Sequence, residues 1–202
     1  MYKDVWFNSY IEDYDIHKTY NILDIHTWDM SDAKTMLYMF KNCPYNYIIL
    51  PDNISNIFIL NSLFEGCENL RKLDLSSFDT SKVTDMSNMF KNCKKLRKLD
   101  ISHFNVENVK SMSDMFNGCW ALTSLHMFKT ETSSLEDMSG MFEDCMHLKS
   151  LDISSITTDK LQNIGRRGII FGCKKLSDLK LSENLAKFII APSVTNVEII
   201  NI

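Results

Sequence analysis

Six cysteines stand at Cys43, Cys67, Cys93, Cys119, Cys145 and Cys173, separated by 24, 26, 26, 26 and 28 residues. A near-constant period in that range is the signature of a solenoid built from stacked supersecondary units. It constrains the fold more than any local motif could. Neighbouring columns share the period. Phe40, Phe64, Phe90, Phe116 and Phe142 lie three residues before their cysteines, and Phe171 lies two before Cys173. Met39, Leu63, Met89, Met115 and Met141 come one position earlier. Met36, Leu60, Met86, Met112, Met138 and Ile164 make a further column, and Ala33, Ile57, Val83, Val109, Leu135 and Leu161 another. Eight of the twelve methionines occupy two columns, so they read as core filler rather than soft ligands.

Each of the last five cysteines opens a C-x-x-L-x-x-L-x-L pattern, as in Cys93, Leu96, Leu99 and Ile101 or Cys145, Leu148, Leu151 and Ile153. The copy after Cys43 is irregular, apolar from Tyr47 to Leu50 and interrupted by Pro51. The first copy begins midway, with Leu23, Ile25 and Trp28 matching Leu73, Leu75 and Phe78. The L-x-L segments alternate with period two and predict short parallel strands, one per repeat. The V-x-x-M-x-x-M-F spacing predicts one or two turns of helix on the opposite side. The expected fold is therefore an α/β solenoid: a right-handed superhelix with one parallel concave sheet and short helices or turns on the convex side. We expect a single domain over residues 1–202. Residues 1–20, with Trp6, Phe7 and Tyr10, would form an N-terminal cap, and 21–181 about six repeats. Residues 182–202 would form a C-terminal cap, with strands at Phe188–Ile190 and Val197–Ile200.

The block from Ser77 to Ser102, S-F-D-T-S-K-V-T-D-M-S-N-M-F-K-N-C-K-K-L-R-K-L-D-I-S, resembles the BspA-like leucine-rich repeat family. The likeness runs from about Leu23 to Leu181 and is strongest between Leu70 and Ile156. It implies a leucine-rich solenoid and, because family members are typically cell-surface or secreted adhesion proteins, a partner-binding role.

The chemistry of the chain offers little to catalysis. Lys and Arg number 22 against 26 Asp and Glu, a net charge of -4 that gives no nucleic-acid footprint. No apolar run is long enough to span a bilayer, and residues 1–20 lack the apolar stretch of a secretory signal. The cysteines stand singly, whereas zinc sites want close pairs. Identical positions in successive repeats point to a ladder of buried free thiols, which suits a reducing compartment. His17, His26, His103, His126 and His147 have no companion catalytic motif. Arg166 and Arg167 sit in an insertion of the last regular repeat, where solvation is the simplest reading.

An aspartate column is more informative. Asp24, Asp74, Asp100 and Asp152 fall between the two apolar residues of their strands, with His126 and Lys180 replacing aspartate elsewhere. Alternation places them on the exposed concave face, with Lys72 and Lys98 as diagonal partners. In the central copy, Leu125-His126-Met127-Phe128 interrupts the pattern. Phe128 either projects from that face as an interaction anchor or turns inward, because Thr130 stands where Phe104 would be. The expectation is a monomeric, non-catalytic module in the cytoplasm that needs no cofactor. It would bind a protein partner, and neither nucleic acid nor membrane, through Asp74, Asp100, His103, His126, Phe128 and Asp152. The alternative setting is the cell surface or outside the cell, as the resemblance implies, and an enzyme is the remote alternative.

Overall fold

The computed structural model describes residues 21–52, 54–157, 159–166, 168–189 and 194–200. Within them the chain winds as a parallel β-solenoid. One strand per turn comes from the L-x-L segments: β1 (Ile22–Asp24), β2 (Tyr47–Ile49), β3 (Lys72–Leu73), β4 (Lys98–Asp100), β5 (Ser124–His126), β6 (Ser150–Ile153) and β7 (Asp178–Ser182). A short helix α1 (Glu183–Ala186) and strand β8 (Asn196–Ile200) follow. All pairings are parallel, and leucine faces its counterpart in register, as in Leu99 with Leu125 and Leu151 with Leu179. The ladder is interrupted twice, giving sheets β1-β2-β3, β4-β5 and β6-β7-β8.

The segments expected to form helical turns instead form hydrogen-bonded turns with a left-handed residue every fourth position. Positive φ recurs five residues and one residue before each cysteine: Tyr38 and Asn42, Ser62 and Gly66, Asn88 and Asn92, Asp114 and Gly118, Gly140 and Asp144, Gly168 and Gly172. Most of these are Gly, Asn or Asp, the residues that tolerate this region at least cost. A helix cannot propagate through it. The backbone bonds run between repeats instead: the Phe90 N–H donates to the Met115 carbonyl (2.9 Å) and the Asn92 N–H to the Asn117 carbonyl (2.7 Å). Beside these turns a second ladder of single parallel bridges joins Thr35, Ile59, Asp85, Ser111, Asp137 and Asn163.

The periodic columns fill the interior. Phe40, Phe64, Phe90, Phe116 and Phe142 form a continuous stack with ring centres 5.4–5.7 Å apart and planes within 6–11°. Phe171 is not its sixth member. The Phe142 N–H bonds to Ile169, as the Phe116 N–H does to Met141, so Ile170 takes the phenylalanine position and Phe171 is exposed. The insertion before it shifts the side chains by one place. Trp28 matches Phe78 in its backbone turn, yet it is exposed where Phe78 is buried. Among the described residues it has a neighbouring turn on one side only.

The cysteines are unpaired thiols. Each of the last five donates its S–H to the carbonyl of the phenylalanine one repeat earlier: Cys67 to Phe40, Cys93 to Phe64, Cys119 to Phe90, Cys145 to Phe116 and Cys173 to Phe142, at 3.0–3.2 Å. The residue must be small, apolar and able to donate, which explains cysteine at this position. Burial pushes the Cys67 and Cys173 thiols up to about 12, and raises Cys93, Cys119 and Cys145 as well. These thiols stay protonated at neutral pH and are poor nucleophiles.

At the C-terminal end β8 covers the expected strand at Val197–Ile200. The segment around Phe188 is not a strand, because α1 turns directly into it: the Phe188 N–H bonds to the Leu185 carbonyl (3.0 Å). Ser182 caps α1 by accepting the Leu185 N–H. Residues 1–20, Arg167 and Ile190 lie outside the described residues.

Candidate functional site

The outward positions of the strands carry Lys72 and Asp74, Lys98 and Asp100, Ser124 and His126, Ser150 and Asp152, then Asp178 and Lys180. Leu73, Leu99, Leu125, Leu151 and Leu179, on the opposite side, are buried. The aspartate column has a structural task in addition to its exposure. Asp24, Asp74, Asp100 and Asp152 each accept, through Oδ1, the backbone N–H two residues on, at 2.9–3.0 Å. This Asx turn ends each strand. Hydrogen bonds from Ser102 hold the Asp100 carboxyl below the usual range, with a smaller contribution from His126.

Asp100 and His126 are direct register partners, with Nδ1 to Oδ2 at 3.5 Å and both side chains more than half exposed. Asp152 faces Lys180 across the next pairing. The two lysines expected to pair diagonally with the aspartates differ from each other. Lys98 has no ion pair, with Asp74 or with Asp100, among the described residues. Lys72 senses Asp74, but desolvation is larger and pulls its ammonium below the usual lysine range. His103 reaches back one repeat, its Nε2 3.0 Å from the Leu75 carbonyl and its ring edge-on to Phe104.

Phe128 does not belong to the exposed face. It is 2% exposed, part of the core. In its copy His126 occupies the aspartate position and supplies no acceptor for an Asx turn, so residues 127–129 continue without a turn and Phe128 points inward. It supplies the buried aromatic that Thr130, the counterpart of Phe104, cannot. Asp74, Asp100, His126 and Asp152 therefore share the strand face, His103 bridges two repeats beside it, and Phe128 leaves the set.

The structure adds a feature that the sequence reading passed over. Arg71, Arg97 and Lys98 are exposed at the leading ends of β3 and β4, and Lys94 sits 4.8 Å from the ring centre of the exposed Trp120. The signal was present as R-K-L-D, repeated at 71–74 and 97–100. On the turn side a hollow is lined by Asp114, Ser139, Glu143, Gly165 and Arg166, and Asp114 there already pairs with Lys91 at 2.6 Å. Among the described residues no group of His, Cys, Asp or Glu is placed to hold a metal ion, and no helix is long and apolar enough to cross a membrane.

Comparison with curated proteins finds no match. A family model does match, over residues 7–128, 46–156 and 98–176. Overlap of this kind is natural for a repeat, because one pattern aligns at several offsets. Together the matched stretches span nearly all the repeats, and the chain belongs to the family described as Mycoplasma protein of unknown function, DUF285.

Proposed function

We propose that the chain is a non-catalytic interaction module that binds a protein partner on the outward face of its strands. One observation carries this reading. The interior columns are nearly invariant from repeat to repeat, while the outward strand positions change in the same register: Lys and Asp, Lys and Asp, Ser and His, Ser and Asp, Asp and Lys. A constant scaffold with a varied, solvent-facing row is how solenoids present recognition surfaces. The C-x-x-L-x-x-L-x-L pattern supports a leucine-rich-repeat-like architecture of the BspA-like kind, with this face concave. The chain acts as a monomer in a reducing compartment, where a ladder of unpaired thiols is at home.

The reading is tested by quantitative affinity capture with strand-face and turn-side variants. Asp100→Asn and Asp152→Asn keep an Asx acceptor while removing charge, and His126→Ser removes the exposed ring. The combined variant should lose the captured partner, whereas Glu143→Gln on the turn side should retain it. Loss with the turn-side variant alone would refute the assignment of the face.

A further inference from the structure

We propose that the basic seam between β3 and β4 docks an acidic polypeptide segment of the partner, an inference that rests on the protein-binding reading above. The strands β3 and β4 are neighbours, yet the parallel ladder on either side of them is absent between them. Just upstream the two repeats are held at an offset of 26 residues. Lys94 Nζ donates to Glu68 Oε1 and Lys95 Nζ to Asn69 Oδ1, both at 2.7 Å. The same offset sets Arg97 next to Arg71 and Lys98 next to Lys72 on these neighbouring strands. Like charges placed directly opposite destabilise a sheet.

The protein's own carboxylates relieve this only in part: Asp74 acts on Lys72. Arg71, Arg97 and Lys98 have no ion-pair partner among the described residues. Glu68 is taken by Lys94, Asp114 by Lys91, and Asp100 by the Ser102 N–H and His126. The exposed Trp120 beside Lys94 adds an apolar contact at the margin. A local rule broken with only partial compensation is the kind of departure that functional sites show, and carboxylates are the groups that guanidinium pairs grip bidentately. The anion must be a discrete segment rather than a continuous anionic surface. Asp74 and Asp100, two residues further along the same strands, would repel the surface, whereas a peptide can lie across the leading ends and miss them.

The test replaces Arg97 and Lys98 with the residues of the next repeat, Thr123 and Ser124, as Arg97→Thr with Lys98→Ser. Removing the facing charges should raise the melting temperature by roughly 1–3 °C. Fluorescence anisotropy with a fluorescein-labelled Glu-rich peptide should show affinity weakened about five- to tenfold and a shallower salt dependence. A Lys-rich peptide should not bind. Equal binding by the two proteins, a lower melting temperature of the variant, or tighter binding to phosphatidylserine vesicles than to the peptide would each overturn the proposal. Failure of the peptide arm while the strand-face variants still lose their captured partner removes the acidic segment alone. Failure of both removes the protein-binding reading with it.

Discussion

Gly118→Ala tests how the turns are stacked. The residue before each cysteine alternates along the array as Asn42, Gly66, Asn92, Gly118, Asp144 and Gly172. All six have positive φ, +73° at Gly118. A Cβ at Gly118 would meet Asn92 Oδ1 of the preceding repeat, as one at Gly66 would meet Asn42. The left-handed conformation alone costs an L residue about 1–2 kcal/mol. Displacing the Asn92 amide adds about 1 kcal/mol, for a total of about 2–3 kcal/mol. Asn92→Gly should remove the second part while leaving the first, so a double-mutant cycle should show a favourable coupling of about 1 kcal/mol. Chemical denaturation followed by circular dichroism measures all four corners of the cycle. Additive losses would mean the two side chains do not meet. A loss under about 0.5 kcal/mol for Gly118→Ala would refute the left-handed turn itself.

Two further outcomes follow from the core. Phe90→Ala should cost about 3–5 kcal/mol, as large-to-small changes in packed interiors do; it also removes two ring contacts, where Phe40→Ala removes one, so the end of the stack should lose less in the same denaturation series. Phe128→Ser should lower stability by about 3–5 kcal/mol, because it empties a buried site and places a hydroxyl there; a melting temperature equal to the wild type would return Phe128 to the exposed face.

The period of the cysteines was enough to read the solenoid, the strands and the buried columns, since each depends on a pattern repeated several times. The turns were harder. Methionine and phenylalanine at three- and four-residue spacing mimic a helix, and the opposing signal lay in Asn, Asp and Gly at two positions per repeat, which break the helix by backbone conformation rather than by hydrophobicity. Phe128 was legible only as a choice between two orientations. The Asp-to-His change at His126 decides it by removing the Asx acceptor, a role of the aspartates that charge alone does not suggest. Phe171 fell outside its column because an insertion upstream moved the register, which residue spacing to Cys173 already hinted at. On the candidate face, the aspartates were placed correctly by alternation. The exposed cations of the R-K-L-D copies were passed over because Lys72 and Lys98 were read as diagonal partners of the aspartates; Asp74 does act on Lys72, whereas Lys98 has no ion pair among the described residues.

The ladder of five buried thiols, each bonded to the phenylalanine carbonyl one repeat earlier, is what the stacked-repeat account most depends on, and thiol accessibility measures it directly. Native protein treated with an alkylating reagent and followed by mass spectrometry should modify only the half-buried Cys43 at an appreciable rate. Cys67, Cys93, Cys119, Cys145 and Cys173 should remain protected and become reactive together in denaturant, with no change in melting temperature on adding reductant. Rapid native alkylation of Cys93 or Cys119, or disulfides among the six, would contradict the account.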